Sequence, residues 1–89
     1  RAHELGLVNE LTEPGGALDA ALALAERITA NGPLAVAATK RIIVESPDWS
    51  DAEKWEKQGA ILGPIFMSKD AREGAVAFAE KRAPQWTGS

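Results

Sequence analysis

The sequence lacks cysteine altogether and has only one histidine, His3. Without cysteine the chain forms no disulfide, offers no thiolate to a metal and has no thiol nucleophile. The same absence favours, weakly, a reducing cytoplasmic setting. His3 lies in a polar opening stretch, and we interpret it as a surface residue. The chain is therefore poor in the groups that most often carry out catalysis.

Large apolar side chains are also few. The hydrophobic fraction is 45%, but 17 of these residues are alanine, which brings little apolar area of its own. At about 25 cal/mol per Å² of buried apolar surface, such a composition supports only a thin core. We therefore expect one small domain at most, and one that depends on a partner surface.

Charge and hydropathy exclude further classes. The net charge is −3 with both signs interspersed, which disfavours a nucleic-acid partner. No apolar run approaches the roughly 20 residues of a membrane-spanning helix, and the polar start lacks the apolar stretch that would predict a signal peptide. Because the chain does not begin with methionine, we interpret it as a piece of a longer protein.

The first dozen residues differ in pattern from the rest. Leu5 and Leu7 are spaced as in an extended segment, and a strand at Leu7-Val8 would need a partner from outside the chain. Residues 13–16, EPGG, predict a turn, because proline fixes φ and the glycines free the chain direction. From Ala17 the apolar residues recur with helical spacing. They are Leu18, Ala21, Leu22, Ala25 and Ile28.

Three more helices are predicted. The second runs from Pro33 to about Glu45, and its apolar residues surround most of its circumference, so we expect it to be covered on more than one side. The third opens with a capping box between Ser50 and Glu53 and stops at residues 63–64, Gly-Pro.

The fourth predicted helix begins after Ser68, whose hydroxyl is a suitable N-cap, and has Asp70 in its first turn. Pro84 disfavours helix at the residue before it, so this element ends near Ala83. The sequence thus predicts an all-α fold, about four helices after a short extended segment.

No motif of the usual catalytic kinds stands out. The carboxylates of the third helix, such as Asp51 and Glu56, alternate with lysines as on a solvated face. No glycine-rich phosphate loop and no metal-ligand cluster has the required spacing. The residues by themselves indicate a helical domain with an interaction or lid role.

Three segments together resemble the carboxy-terminal region of the enoyl-CoA hydratase/isomerase (crotonase) superfamily. They are GLVNEL at 6–11, ALALAERITANGPLAVAATKRII at 21–43 and SKDAREGAVAFAEKRAPQWTG at 68–88. Their order and spacing carry the resemblance, whereas residues 45–63 contribute little to it. The likeness covers nearly the whole chain.

The resemblance implies a division of the molecule. Residues 1–16 would be the end of a spiral core and a linker, and residues 17–89 a helical lid and oligomerisation domain. The missing amino-terminal core would hold the oxyanion hole and the catalytic carboxylates, so no catalytic residue is expected in this chain. Such enzymes form homo-trimers, commonly paired into hexamers.

The resemblance also implies a reaction. The familiar hydratase adds water to a trans-2-enoyl-CoA and yields a 3-hydroxyacyl-CoA, with no cofactor beyond the coenzyme A of its substrate. Isomerases and other members share this end of the chain, and a non-catalytic helical interaction module is the alternative of a different class. The 89 residues alone are expected to be inactive.

Lys81 and Arg82, near the end of the fourth helix, have two interpretations. In the first, they complement the helix dipole, an interaction worth about 0.3–1 kcal/mol. By resemblance, Lys81 and secondarily Arg82 contact a CoA phosphate, while Leu62 packs on the adenine. Helical side chains lean towards the N-terminus, so Lys81 would project over the turn that bears Phe78. Glu80 is interpreted as an ion-pair partner rather than a catalytic base.

Trp86 likewise allows two interpretations. It anchors the end of the chain by burying its ring in a groove, or it marks an exposed docking surface. The anchor is the favoured interpretation.

Overall fold

A computed structural model describes all residues of the chain, 1–89. It contains four α-helices and no strand, which confirms the all-α prediction. They are α1, Ala17–Thr29; α2, Pro33–Glu45; α3, Lys54–Phe66; and α4, Lys69–Glu80. A single 3₁₀ turn, Ser46–Asp48, follows α2. The chain divides into two compact units, residues 1–30 and 31–89.

In the first unit, the opening segment turns where an extended conformation was expected. The Leu5 N–H donates to the Arg1 carbonyl at 3.0 Å, and the Leu7 N–H donates to the Ala2 carbonyl at 2.9 Å. These local bonds satisfy backbone groups that a lone strand would leave unpaired. Residues 2–6 are therefore turns, and residues 10–13 have no regular structure.

Helix α1 leaves most of its predicted apolar face uncovered within this chain. Leu18 is 69% exposed and Leu22 54% exposed. The half-buried positions are instead Ala20 and Leu24, which line a small groove of about 190 Å³ together with Asn9, Glu10 and Thr12. Periodicity identified an apolar stripe, but the chain itself covers a different one.

The second unit has a very thin core. Helix α2 packs on α3, and α3 contacts α4. Only Ala38, Asp70 and Ala77 are buried, and no large side chain is fully enclosed. This agrees with the expectation drawn from the alanine-rich composition.

Large apolar side chains instead point outward. Ile43 and Val44 at the end of α2 are 67% and 65% exposed, as expected for a helix that needs more than one covering surface. Phe66, Met67 and Phe78 are more exposed still. Burial of such a side chain against another protein surface would contribute about 1.5–3 kcal/mol. None of the four helices has both the length and the apolar character that crossing a membrane requires.

Helix α3 begins and ends later than the sequence predicted. Half of the capping box forms: the Ser50 N–H donates to Glu53 Oε2 at 2.8 Å, but residues 51–53 are turns and the helix begins at Lys54. Glu53 also pairs with Lys57, and these two contacts, the lysine first, lower its pKa to about 2.

The predicted stop at residues 63–64 was wrong. Pro64 lies inside the last turn of α3, which continues to Phe66. A proline cannot donate a backbone hydrogen bond. Only two helical residues follow Pro64, so its effect is confined to the last turn of the helix. The Met67 N–H then closes the turn on the Ile65 carbonyl.

Candidate functional site at the end of the fourth helix

The last residues of the chain run back along α4, and we call residues 83–89 the tail. Asp70, in the first turn of α4, holds the far end of the tail. Its Oδ1 accepts hydrogen bonds from the Thr87 N–H at 2.7 Å and the Thr87 hydroxyl at 3.0 Å, and its Oδ2 accepts one from the Gly88 N–H at 2.8 Å. The Asp70 N–H donates to the Ser89 carbonyl at 2.8 Å. One residue thus fixes three tail positions.

These contacts also determine the electrostatics of Asp70. The residue is only 4% exposed, and burial alone would raise the pKa of its carboxyl. The Thr87 N–H, with help from the Gly88 N–H, instead lowers the pKa of Asp70. Asp70 is therefore a buried carboxylate whose charge is stabilised by tail donors. Sequence reasoning saw only a first-turn acid.

Trp86 directly precedes the tail residues that Asp70 holds, and its ring packs on two glycines. An added Cβ at Gly74 of α4 would be 3.1 Å from Trp86 Cη2, and one at Gly32 before α2 would be 3.6 Å from Cζ3. The ring is half-buried and forms one wall of an apolar groove of about 300 Å³. The structure confirms that Trp86 anchors the tail.

Alanine substitutions at two helical glycines should separate helix propensity from this packing. In Gly59→Ala the new methyl group meets open space, so we expect a gain of about 0.5–1 kcal/mol in stability. In Gly74→Ala the same propensity gain is opposed by the 3.1 Å approach to Trp86, so we expect no gain or a loss. Thermal loss of the helical circular dichroism signal measures both. Equal stabilisation by the two changes would contradict the close Trp86 contact.

Helix α4 ends at Glu80, and the next residue, Lys81, has an unusual backbone conformation. Lys81 has φ 56° and ψ 42°, and it is the only residue other than glycine with a positive φ. Its N–H donates to the Phe78 carbonyl at 3.2 Å, and the Arg82 N–H donates to the Ala77 carbonyl at 3.0 Å. This is the Schellman pattern, in which glycine is the usual residue at the left-handed position. Lys81 thus lies just past the helix, so the helical backbone on which the expected projection over the Phe78 turn was based is absent.

Arg82 folds back onto α4 and is held by two carboxylates. Its Nη1 and Nη2 donate to Glu73 Oε1 at 2.6 Å and Oε2 at 3.2 Å, and its Nε donates to Glu80 Oε2 at 2.6 Å. The Gln85 N–H adds a further bond to Glu73 Oε1 at 2.9 Å. Arg82, and then Gln85, lower the pKa of Glu73 to about 2. The two carboxylates in turn raise the pKa of Arg82.

The predicted site residues therefore differ in availability. Lys81 is exposed and has no ion pair within the chain. Arg82 is adjacent to it but is engaged by Glu73 and Glu80, and Glu80 is the ion-pair partner that the sequence indicated. Leu62 lies half-buried in α3 and does not line the apolar groove beside Trp86.

Two residues that matter here were missed by sequence reasoning. Glu73 was noted only as part of a Glu-Gly pair, and Asp70 only as a first-turn acid. Both act on partners 9 to 18 positions away, beyond the reach of helical spacing rules. The only signal in the sequence was the presence of two acidic residues in α4 and of a polar segment after Pro84 that could supply donors to them.

The family model for enoyl-CoA hydratase/isomerase matches residues 1–89. The crystal structure of enoyl-CoA hydratase EchA1 from Mycobacterium marinum is 70% identical, with a TM-score of 0.97, and the match covers 100% of this chain and 35% of that one. Enoyl-CoA hydratase EchA19 from Mycobacterium tuberculosis is 46% identical over 96% of this chain and 32% of its own length. Carnitinyl-CoA dehydratase from Salmonella arizonae is 40% identical over 93% of this chain and 33% of its own length.

The chain spans about a third of the length of these relatives. Within that third, both the family model and the match to the Mycobacterium marinum structure cover the whole chain, so the likeness includes the tail as well as the helices. The predicted resemblance is confirmed: the chain belongs to the enoyl-CoA hydratase/isomerase family.

Proposed function

We propose that this chain is the carboxy-terminal helical part of an enoyl-CoA hydratase, covering the acyl-CoA site and building the oligomer. The whole enzyme adds water to a trans-2-enoyl-CoA and forms a 3-hydroxyacyl-CoA. The observation that carries this proposal is the match at 70% identity, over all of this chain, to a solved enoyl-CoA hydratase. The dehydratase relative supports, as second candidate, another reaction of the same family on a related acyl-CoA.

The partner of this chain is the amino-terminal core of the same protein, with further copies in a trimer or hexamer. Support comes from the exposed apolar side chains, which lie on both units and which the chain does not cover itself. Leu18 and Leu22 on α1, and Phe66 and Met67 at the end of α3, are all more than half exposed. The small core, whose buried apolar residues are alanines, does not bury enough apolar surface to make up for these exposed side chains.

The acyl-CoA contact assigned to this chain is Lys81, with Leu62 as the apolar neighbour of the adenine. Coenzyme A enters as part of the substrate and no separate cofactor is required. An ammonium without an ion pair is available to a phosphate, whereas the Arg82 guanidinium is already shared between two carboxylates. The role of Lys81 is to bind a remote part of the substrate, whose binding energy helps to position the reacting thioester.

A chimera tests the proposal. In it, this chain replaces the matching 35% of the Mycobacterium marinum enzyme, which supplies the remaining core. We expect the purified chimera to hydrate crotonyl-CoA and this chain alone to show no hydration. The loss of absorbance of the conjugated thioester measures the reaction. A folded chimera without activity would overturn the proposed function. Hydration by the chain alone would overturn the prediction that it is inactive.

In the chimera, Lys81→Ala is expected to raise KM for the enoyl-CoA and leave kcat nearly unchanged. Loss of one partly exposed charge-assisted contact corresponds to about 1–1.4 kcal/mol, or roughly a five- to tenfold rise in KM. Steady-state kinetics at several ionic strengths measures it, and the difference should shrink as salt rises. Arg72→Gln, which removes another exposed cation of α4, is the matched control and should leave KM unchanged. An unchanged KM for Lys81→Ala would remove this residue from the site.

The non-catalytic interaction module makes a different prediction. Calorimetric titration of CoA into the chimera would then give the same heat with and without the Lys81→Ala change, while self-association would persist. Heat that disappears in Lys81→Ala supports the acyl-CoA site instead.

A further inference from the structure

We infer that Glu73 and Arg82 are positioning residues for Lys81: together they hold its backbone in the left-handed conformation and keep its ammonium available for an anionic ligand. This inference rests on the proposed function, because it assumes that Lys81 meets a CoA phosphate. It differs from the sequence prediction, in which Arg82 itself contacts the ligand.

The backbone at Lys81 is fixed from both sides. On one side the Lys81 and Arg82 N–H groups close the end of α4 on the Phe78 and Ala77 carbonyls. On the other side Glu73 binds the Arg82 guanidinium and the Gln85 N–H. A residue other than glycine keeps a left-handed backbone only where its surroundings enforce it, since the conformation costs about 1–2 kcal/mol. Asp70 holds the far end of the tail, and the Glu73 carboxylate ties the residues nearer to Lys81, which are Arg82 and Gln85, back to the helix.

Arg82 also controls the charges next to Lys81. Glu80 is the last residue of α4 and Glu73 lies in its first half, and both carboxylates are paired with the Arg82 guanidinium at 2.6 Å. Without Arg82, both carboxylates would lose their cation, and one of them, Glu80, directly precedes Lys81 in the chain. They would attract that ammonium and repel a phosphate. The guanidinium offsets part of that negative charge, and Lys81 is left as a cation without an ion pair that a ligand can reach.

The geometry of Arg82 argues against a direct ligand contact. A guanidinium has five N–H donors. Four donations are already made within the chain: one to Glu80, two to Glu73 and one from Nη1 to the Ala83 carbonyl at 3.2 Å. Binding a phosphate would require Arg82 to give up part of this arrangement, whereas Lys81 gives up nothing.

A double-mutant cycle in the chimera tests the inference. The variants are Lys81→Ala, Arg82→Gln and the two together, with Arg72→Gln as the matched control. If Arg82 acts through Lys81, each single change raises KM about fivefold and the double variant is no worse than Lys81→Ala alone, while kcat stays within about twofold. Arg82→Lys keeps the charge but cannot bind Glu73 through two parallel bonds, so it should restore KM only in part.

The outcomes are distinct. If the two effects on KM multiply, Arg82 contacts the ligand independently and the inference is overturned. If Lys81→Ala raises KM and Arg82→Gln does not, the inference fails while the Lys81 contact stands. If Lys81→Ala has no effect, both fail, although hydration by the chimera would still support the proposed function. Should Arg82→Gln fold poorly, the isosteric Glu73→Gln takes its place, and its failure to raise KM overturns the inference equally.

Discussion

Replacing Trp86 by alanine is expected to lower the free energy of unfolding of the chimera by about 2–3 kcal/mol, near the lower end for a large aromatic because the ring is only half-buried. The indole fills the space over Gly74 and Gly32, and no other tail side chain of comparable size approaches either glycine. Its loss opens a cavity between α4 and the start of α2. Urea unfolding followed by circular dichroism measures the change.

Gln85→Ala is the control for Trp86→Ala. The Gln85 side chain is exposed and only its backbone N–H bonds to Glu73, so the change should stay within about 0.5 kcal/mol. Equal stabilities for Trp86→Ala and Gln85→Ala would show that the tail is not anchored by the ring.

Acidification from pH 6 to pH 2 is expected to release the tail. The pKa of Glu73 is lowered to about 2, first by Arg82, and that of Asp70 is lowered, first by the Thr87 N–H. Ordinary values are about 3.9 for Asp and 4.3 for Glu, so on acidification the unfolded chain takes up protons before the folded one. The stabilisation is therefore complete above about pH 5 and is lost as the pH falls towards 2. Amide chemical shifts of Thr87 and Gly88, measured by NMR, follow the release.

Asp70→Asn supplies the control for the acid release. An asparagine has one acceptor oxygen in place of two, so it cannot accept the three bonds from Thr87 and Gly88 in the present arrangement. We expect the two amides to exchange with solvent about tenfold faster at neutral pH and to lose the Asp70 part of the titration. Amide shifts that titrate in the wild type with a midpoint above the ordinary Asp value would contradict the lowered pKa of Asp70.

Local chemistry was readable from the sequence. Pro33 and Ser46-Pro47 bound α2 as predicted, and the Ser68 hydroxyl caps α4 by accepting the Ala71 N–H at 3.0 Å. These signals act within one helical turn, where residue type and spacing determine the backbone. Pro64 led to a wrong prediction of the end of α3, because the effect of a proline depends on how many helical residues follow it. The sequence does not reveal that number.

Most of the candidate site depends on contacts between distant residues. Lys81 was identified by resemblance, but its left-handed backbone was hidden, since nothing in Glu-Lys-Arg distinguishes a last helical residue from the one that follows the helix. The Arg82–Glu73 and Thr87–Asp70 pairs join positions 9 and 17 residues apart. They form only once the chain reverses after α4, and the reversal itself has no local signature stronger than Pro84.

The left-handed turn at Lys81 has a consequence for engineering. A design procedure that optimises thermal stability residue by residue would place glycine there, because glycine adopts that backbone without steric penalty. The redesigned protein would end its helix without that steric penalty and would lose the Lys81 ammonium at the same step. Under the role proposed for Lys81, thermal stability and substrate affinity would move in opposite directions at this one position, and a screen for thermostability alone would remove the proposed ligand contact.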